Sequence, residues 1–291
     1  MNYLELSITV PAEAAESVAW SLTERGVPGV VVSERAPEAP LEETATLKAY
    51  FPEVSPPDMA QLEAGIREGL MPYPGATFQV EKRELPEENW ATSWQKYWHV
   101  QRIGERVVVR PSWEAYAPEP GDLVITLDPK QAFGTGTHQT TRLCMRAIER
   151  VMSAAPAETV YDVGAGTGIL AILAAMMGAK HVVAVDNDPV AVSAAVENAE
   201  INQVSVENRV GSAGDLQGQA DLVVANILAE VIIELAPELW RITRPGGRLV
   251  TSGIITRKAD DVAQALAGQG FRLLDRESEG DWVLVEAERP L

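Results

Sequence analysis

The stretch TVYDVGAGTGILAILAAMMGAKHVVAVDNDP, residues 159–189, decides how most of this chain folds. Its apolar runs predict a buried strand over 160–163, a helix over 169–177 and a second strand over 182–185. Glycines separate the first strand from the helix, and Asp186 directly follows the second strand. The stretch therefore predicts a strand–turn–helix–strand unit that ends in an acid.

The turn of this unit carries Gly164, Gly166 and Gly168. Glycines allow a tight turn and a close approach of the backbone to a ligand, and the following helix start offers unpaired N–H groups. A GxGxG pattern alone also fits a strand-to-helix turn without any ligand. Asp186, however, stands 22 residues after Gly164 and is placed to accept both hydroxyls of a ribose. The unit therefore predicts binding of a nucleoside-containing ligand.

Composition sets the class of the protein. The 291 residues are 46% hydrophobic and 23% charged, which is typical of a globular protein long enough for two domains. We find neither a secretion signal nor a run of about 18 apolar residues, so we expect a cytoplasmic protein. The single cysteine, Cys144, excludes an internal disulfide. It lies in an apolar helical run, which favours a core position over a nucleophile.

The chain is strongly acidic, with 24 basic and 42 acidic residues and a formal net charge of −18. This charge disfavours broad binding to nucleic acid, because neutralising phosphates requires clustered Lys and Arg. It favours a basic partner through long-range attraction, although acidity also simply keeps a protein dissolved.

Residues 1–85 predict a small domain of their own. Strand and helix patterns follow one another in the order β-α-β-β-α-β, which is the ferredoxin-like arrangement. This segment has no glycine loop, ligand cluster or nucleophile, so we expect it to bind a macromolecule. Residues 86–100 then predict a linker helix, on which Trp90, Trp94 and Trp98 form an aromatic stripe. Such a stripe either grips a partner or packs between two domains.

A second informative loop, LDPKQAFGTGTHQTTRLCM, spans residues 127–145. It is not a Walker A loop, because no Lys follows its glycines. A helix is predicted to begin at Thr140 or Thr141 and to lead towards the glycine turn. We therefore expect the threonine side chains of this loop to reach the same ligand.

Residues 101–291 predict an α/β domain. After Asp186, strands alternate with helices, which indicates a parallel sheet. The final strands, 271–278 and 281–288, are joined by a tight turn and must be antiparallel. A nicotinamide-binding sheet usually repeats a second parallel half instead. The expected fold is thus a Rossmann-like sheet of seven strands that closes on an antiparallel hairpin.

This arrangement resembles the class I S-adenosylmethionine-dependent methyltransferases. The segments WATSWQKYWHVQRIGERVVVRPSW, LDPKQAFGTGTHQTTRLC, DVGAGTGILAI, VDNDPVAV and ANILAEVIIELAPEL are similar to successive signatures of the PrmA family. The resemblance covers nearly the full length, and its AFGTGTH and NIL segments are the specific ones. It implies methylation of lysine side-chain and N-terminal amines of protein eleven of the large ribosomal subunit, which the N-terminal domain would bind.

The resemblance also implies a set of cofactor contacts, which fall on Thr141, Gly164, Asp186 and Asn226, with Gly166 and Phe133 as further neighbours of S-adenosylmethionine. Asn226 and the backbone of Ile227 would orient the amine, as the Asn-Pro-Pro-Tyr-like turn does in other amine methyltransferases. A strand-end Asn is otherwise a simple turn or cap residue. His138 is a candidate base, although water can take the proton before binding. The three histidines are too dispersed for a metal site, so we expect no metal.

Three other functions fit parts of the pattern. A methyltransferase acting on RNA or a small molecule would need a basic N-terminal domain, whereas residues 1–85 are net acidic. A nicotinamide-dependent oxidoreductase is disfavoured by the terminal hairpin and the AFGTGTH loop. A non-catalytic binding protein with a cofactor-type scaffold would be expected to lose Asp186 or Asn226, and both are present.

Overall fold

A computed structural model describes residues 3–25, 27, 30–32, 44–52, 58–85, 99–127 and 138–291. The chain divides into two compact units, Met1–His99 and Val100–Leu291. The predicted aromatic stripe of Trp90, Trp94 and Trp98 lies outside the described residues. Within the described residues, none of the helices is both long and apolar enough to cross a membrane.

The first unit is a four-stranded sheet with two helices. Its elements are β1 (Tyr3–Pro11), α1 (Ala15–Glu24), β2 (Val31–Val32), β3 (Thr44–Pro52), α2 (Met59–Gly69) and β4 (Gln79–Leu85), with a short 3-10 turn at Ala12–Ala14. The strand order is β2-β3-β1-β4 and every neighbouring pair is antiparallel. This is the ferredoxin-like topology, so that prediction is confirmed.

Alternation along the strands forms the core of this unit. Leu6, Ile8 and Val10 of β1 are buried and pack with Leu47 and Ala49 of β3 in one cluster. The intervening positions of both strands face away from that cluster, as the two-residue period of a strand requires. Burial of one sheet face under the two helices therefore holds the unit together.

The second unit begins with a small three-stranded sheet. It contains β5 (Gln101–Arg102), β6 (Val107–Pro111) and β7 (Leu123–Leu127), of which β6 and β7 are parallel. The apolar runs ERVVVR (105–110) and GDLVITLD (121–128) predict β6 and β7, whereas the sequence makes no prediction for the two-residue strand β5. So short a strand has too few residues for a recognisable alternation.

The main sheet of the second unit has seven strands, in the order β10-β9-β8-β11-β12-β14-β13. The strands are β8 (Thr159–Val163), β9 (His181–Asp186), β10 (Glu207–Val210), β11 (Ala220–Asn226), β12 (Thr243–Ile255), β13 (Arg272–Glu279) and β14 (Trp282–Glu288). The helices are α3 (Gln139–Ala154), α4 (Ile169–Met176), α5 (Pro189–Ile201), α6 (Ala229–Ile242) and α7 (Ala259–Gln269). Short 3-10 turns lie at Ala213–Asp215 and Thr256–Lys258.

Strand directions confirm the expected Rossmann-like sheet. Neighbours from β10 to β12 are parallel, and β14 is antiparallel to both β12 and β13. The chain leaves β8 towards β9 on one side and returns to β11 on the other. Ligands of open α/β sheets bind outside the carboxyl ends of the strands at such a reversal.

Helix α3 begins slightly earlier than the sequence predicted. Its first helical residue is Gln139, not Thr140 or Thr141. The reason is a cap: Nδ1 of His138 accepts a hydrogen bond from the backbone N–H of Thr140 at 3.3 Å. Histidine is not among the common N-cap residues, so the two threonines were the more natural choice from the sequence.

Candidate functional site

Strand register brings three of the predicted residues together. Val163 of β8 pairs with Val185 of β9 on one side and with Ala225 of β11 on the other. The residues that follow these three are Gly164, Asp186 and Asn226. They therefore lie side by side at the carboxyl edge of the sheet, at the point where strand order reverses.

The glycine turn wraps over this edge. Gly164, Gly166 and Gly168 have φ angles of +73°, +55° and +78°, a region that other residues rarely adopt. The N–H groups of Gly164 and Ala165 both donate to the carbonyl oxygen of Val185, at 2.8 and 3.0 Å. The turn is thus bound to β9 before the chain enters α4.

Asp186 is held by the backbone on both sides. Its Oδ2 accepts a hydrogen bond from the N–H of Gly166 at 2.8 Å, and its Oδ1 accepts one from the N–H of Asp188 at 2.9 Å. A carboxylate has about four acceptor positions, so these two bonds fix its direction and leave others available. Asp186 is therefore oriented to accept further hydrogen bonds at the sheet edge.

Helix α5 packs against the glycine turn. The side-chain amide of Asn198 is buried and donates to the carbonyl oxygen of Thr167 at 3.0 Å. A methyl group placed on Gly168 would lie 3.0 Å from Cβ of Ala195, which leaves no room for a larger residue. Close packing and one buried hydrogen bond thus fix the distance between the glycine turn and helix α5.

Thr141 and Asn226 meet although they are far apart in sequence. Nδ2 of Asn226 donates to Oγ1 of Thr141 at 3.4 Å, and both side chains are buried. The Oδ1 atom of Asn226 is also buried and has no hydrogen-bond partner among the residues that the structure describes. An unpaired buried acceptor is costly, so this atom is suited to receive an N–H group from a ligand.

Asp162 is a buried acid, two residues before Gly164, that the sequence interpretation did not single out. It lies in β8 with 1% of its surface exposed, and its Oδ2 accepts the N–H of Ala171 at 3.1 Å. Burial raises the pKa of this carboxyl to about 7, and the charge of Asp186 adds to the shift. The available signal was an acid in the middle of an apolar strand, since a charged residue is rarely buried without a specific role.

His138 lies at the N-terminus of α3, three residues before Thr141. Its ring makes a hydrogen bond of 2.8 Å with Oγ1 of Thr140 and an edge-on contact with Trp282, the ring centres being 5.1 Å apart. Burial lowers the pKa of His138 to about 3, and the charge of Arg142 acts in the same direction. The imidazole is therefore neutral and a weak base at physiological pH.

Two further expectations concern Cys144 and metals. Cys144 is fully buried in α3, and burial raises the pKa of its thiol well above the ordinary range, so the thiol stays protonated. Its predicted core position is confirmed. Among the described residues, no group of three or more metal-binding side chains comes together.

Most of the predicted site residues are therefore at one edge of the sheet, while Phe133 lies outside the described residues. The edge offers what a nucleoside-containing sulfonium ligand requires: a backbone turn open to close approach, an oriented carboxylate and a buried oxygen to which no described residue donates a hydrogen bond. These features fit S-adenosylmethionine. The individual contacts to it stay predictions.

Comparison with known proteins agrees with this fit. Residues 2–290 match the family model described as ribosomal protein L11 methyltransferase (PrmA). A protein of that name from Desulfitobacterium hafniense is 41% identical, with 99% of this chain and 98% of the relative covered. Another from Pelotomaculum thermopropionicum is 43% identical, with 99% of both chains covered.

A solved structure gives the same result for part of the chain. The crystal structure of a ribosomal protein L11 methylase from Lactobacillus delbrueckii subsp. bulgaricus superposes with a TM-score of 0.61 at 37% identity. It covers 67% of this chain and 100% of that chain. The family match over nearly all residues, the two full-length relatives and this structure agree with one another. The chain belongs to the PrmA family of ribosomal protein L11 methyltransferases.

Proposed function

We propose that this protein transfers methyl groups from S-adenosylmethionine to amines of ribosomal protein L11, namely lysine side chains and the N-terminal α-amine. The relatives' names supply the protein substrate. The single observation that favours an amine as the accepting group is the buried Oδ1 of Asn226, which has no hydrogen-bond partner within the described part of the chain. An amine approaching this edge brings the N–H groups that such an acceptor lacks.

The cofactor is held by the residues around the glycine turn. Asp186 binds the ribose hydroxyls, Gly164 and Gly166 allow the backbone to approach, and Thr141 and Asn226 close the site from the side of α3 and β11. Phe133 is proposed as a further neighbour. When bound, S-adenosylmethionine supplies a methyl group to the amine nitrogen, and its sulfur keeps the electron pair of the bond that breaks.

The protein's part in the reaction is to present a neutral, directed amine. A free lysine has a pKa of about 10.4 and is mostly protonated at neutral pH. Loss of hydration at the site lowers the pKa of the amine, so its proton passes to water as the amine binds. The oxygen of the Asn226 side chain and the backbone carbonyls of Asn226 and Ile227 then accept its N–H groups. Correct alignment of reacting groups is a large part of catalysis in such a transfer.

His138 is a weaker candidate than water for the base that takes the proton of the amine. A group with a pKa of about 3 has little tendency to remove a proton from an ammonium ion. Its contacts with Thr140 and Trp282 instead fix the start of α3, which carries Thr141. We therefore propose that His138 supports the site through the helix rather than by taking the proton.

We further propose that the ferredoxin-like unit binds ribosomal protein L11. It has a separate hydrophobic core and carries none of the predicted cofactor contacts. The net charge of −18 suits a basic protein partner and disfavours broad binding to nucleic acid. A ribosomal-protein substrate also favours the cytoplasm as the place of action.

The deciding experiment is the intact mass of recombinant ribosomal protein L11 after incubation with this protein and S-adenosylmethionine. We expect mass increases in steps of about 14 Da that disappear without the cofactor, followed by peptide mapping of the modified amines. Methylation confined to other side chains would reject the amine assignment. An unchanged mass, with cofactor binding confirmed by calorimetry, would reject L11 as the substrate.

A variant tests the role of Asn226 within this function. Asn226→Ala removes the unpaired acceptor, so we expect methyl transfer to fall by about 100-fold, in line with the loss of one preorganised polar group in other active sites. Cofactor affinity is measured in parallel by calorimetry. Full turnover with normal cofactor binding would show that Asn226 does not orient the amine.

A further inference from the structure

Strand β12 contains an irregularity beside the end of β11. Its pairing with β14 shifts register between Thr251 and Ile254, because Thr251 pairs with Val285 and Ile254 with Val283. Two residues, Ser252 and Gly253, therefore stand opposite one residue of β14. This is a β-bulge, a device that bends a strand and redirects the groups next to it.

Two hydroxyl groups, one just before the bulge and one within it, donate hydrogen bonds to β14. Oγ1 of Thr251 donates to the carbonyl oxygen of Val285 at 3.2 Å, and Oγ of Ser252 donates to that of Val283 at 2.9 Å. Both side chains are fully buried. The bulge is thus fixed by its own side chains, which indicates a specific feature rather than a local irregularity.

The bulge is in direct contact with the backbone of Ile227. Ser252 pairs with Asn226 across the parallel ladder, and its carbonyl oxygen accepts the N–H of Ile227 at 3.1 Å. Gly253 has a φ of +84°, and a methyl group placed on it would lie 2.2 Å from the carbonyl oxygen of Ile227 and 2.7 Å from its carbonyl carbon. Only glycine allows the two backbones to come this close.

Ile227 is enclosed from the other side by the glycine turn. A methyl group placed on Gly164 would lie 2.2 Å from Cγ2 of Ile227. The side chain of Ile227 therefore packs on Gly164, while its peptide group packs on Gly253. Two glycines, one in the turn after β8 and one in β12, thus fix one residue at the sheet edge.

We propose that the Ser252–Gly253 bulge is a positioning device for methyl transfer and that Gly253 is its positioning residue. It sets where the carbonyl group of Ile227, and the preceding Asn226, meet the accepting amine. The inference rests on the proposed function, in which these groups orient that amine. Gly253 itself touches neither substrate nor cofactor in this assignment.

The close contact between Gly253 and Ile227 predicts what a larger residue at position 253 would do. No Cβ atom approaches a carbonyl oxygen to 2.2 Å, so the Asn226–Ile227 turn has to move away in a Gly253→Ala variant. A displacement of about 1 Å in a positioning group can reduce a reaction rate by about 100-fold. Asp186, the proposed ribose-binding residue, lies on β9 and is separated from β11 by β8, so we expect it to move less than the Asn226–Ile227 turn.

The test compares Gly253→Ala with a matched control, Gly178→Ala. Gly178 has an equally unusual φ of +101°, and a methyl group placed on it meets no atom within 4 Å. Single-turnover rates of L11 methylation are measured with the full-length protein at saturating cofactor, with calorimetric cofactor affinity and thermal unfolding in parallel. We expect Gly253→Ala to lower the rate at saturating cofactor at least tenfold, a larger factor than its effect on cofactor affinity, and Gly178→Ala to change neither.

A double-mutant cycle separates positioning from a general loss of stability. If Gly253 acts through the turn, Gly253→Ala adds little to the rate loss already caused by Asn226→Ala. Should Gly253→Ala fail to fold, Ser252→Ala serves in its place. It removes the hydroxyl that bonds to Val283 and to the Cys144 side chain, and we expect a several-fold lower rate that is again not additive with Asn226→Ala.

Two results would overturn the inference. One is a wild-type single-turnover rate in folded Gly253→Ala, or in Ser252→Ala where the first variant does not fold. The other is full additivity with Asn226→Ala. A wild-type protein that methylates no amine of L11 would reject the proposed function, which is a different outcome and is seen in the wild-type reaction alone.

Discussion

The side chain of Asn226 donates a hydrogen bond to the hydroxyl oxygen of Thr141 across 85 positions of sequence, with the two atoms 3.4 Å apart. Thr141 lies in the first turn of α3, and Asn226 is the last residue of β11. The bond occupies the amide nitrogen of Asn226 and so leaves its oxygen as the atom available to a ligand. A helix start therefore determines which polar atom the sheet edge presents.

The first prediction follows from this bond. In Thr141→Val, the amide of Asn226 loses its acceptor and no longer has a fixed orientation. One hydrogen bond contributes about 1 kcal/mol, so we expect kcat/KM for L11 methylation to fall by about fivefold. Thr243→Val is a suitable control, because Thr243 is equally buried but donates to Leu239 at 2.7 Å, away from the predicted site residues. Equal kcat/KM values for the two variants would show that the contact does not orient Asn226.

The second prediction concerns pH and Asp162. Burial raises its pKa to about 7, so the folded protein keeps a proton that the unfolded chain releases near pH 4. Through this group, stability falls as the pH rises from about 4 to about 7, by about 1.4 kcal/mol per unit where the difference is one full proton. Asp162→Asn mimics the protonated acid and is expected to remove this dependence.

Urea unfolding of both proteins at pH 5 and pH 8 measures the effect. The wild type should lose stability relative to Asp162→Asn on going from pH 5 to pH 8. Stability differences that are the same at both pH values would mean that Asp162 ionises normally in the folded protein.

The third prediction concerns the contact between α3 and the terminal hairpin. Glu279 accepts hydrogen bonds from Arg142, with Nε at 2.8 Å, and also pairs with Arg146. Burial alone would raise the pKa of Glu279, but the hydrogen bonds from Arg146 and Arg142 outweigh it, so the pKa is lowered. Stability from this group is therefore present above the ordinary pKa of a glutamate and is lost as the pH falls through the lowered value.

Glu279→Gln is thus expected to reduce the free energy of unfolding at pH 7 by about 1–2 kcal/mol, since it breaks partly buried bonds to two cations. The difference should shrink as the pH falls through the lowered pKa of Glu279, because the wild-type carboxylate then becomes protonated. Glu158→Gln is the matched control, because the Glu158–Lys180 pair is exposed on both sides and such pairs contribute little to stability. Equal effects of the two substitutions would show that the hairpin contact is no stronger than a surface pair.

The fold was predictable because its signals are local and repeated. The apolar runs around Gly164 and the short turn before Trp282 determine the strand types and directions. Asp186 could be assigned because it comes directly after an apolar strand, and Asn226 because its NIL segment resembles the family; the register of the parallel strands brings the two residues to one edge. The N-terminal order of strands and helices likewise contained the ferredoxin-like topology.

What the sequence did not reveal depends on contacts between distant segments. The unpaired oxygen of Asn226 follows from its bond to Thr141, and the bulge at Gly253 follows from the register of two strands. The signal for Gly253 was a glycine inside an apolar strand, which often marks a bulge or a close backbone approach. The weak basicity of His138 required knowledge of its burial, because the same residue in an exposed loop would titrate near neutral pH.

The last prediction concerns Cys144, the single cysteine of the chain. Its thiol is fully buried in α3, and burial together with the charge of Asp162 raises its pKa well above the ordinary value. Thiolates rather than thiols react with disulfide reagents, so a chromogenic reagent such as dithionitrobenzoate should label about one thiol per chain only after unfolding in urea. Cys144→Ala is expected to keep wild-type turnover per folded molecule, because a protonated core thiol takes no part in the transfer. Rapid labelling of the folded protein, coupled to loss of methylation, would instead place an accessible thiolate in the reaction.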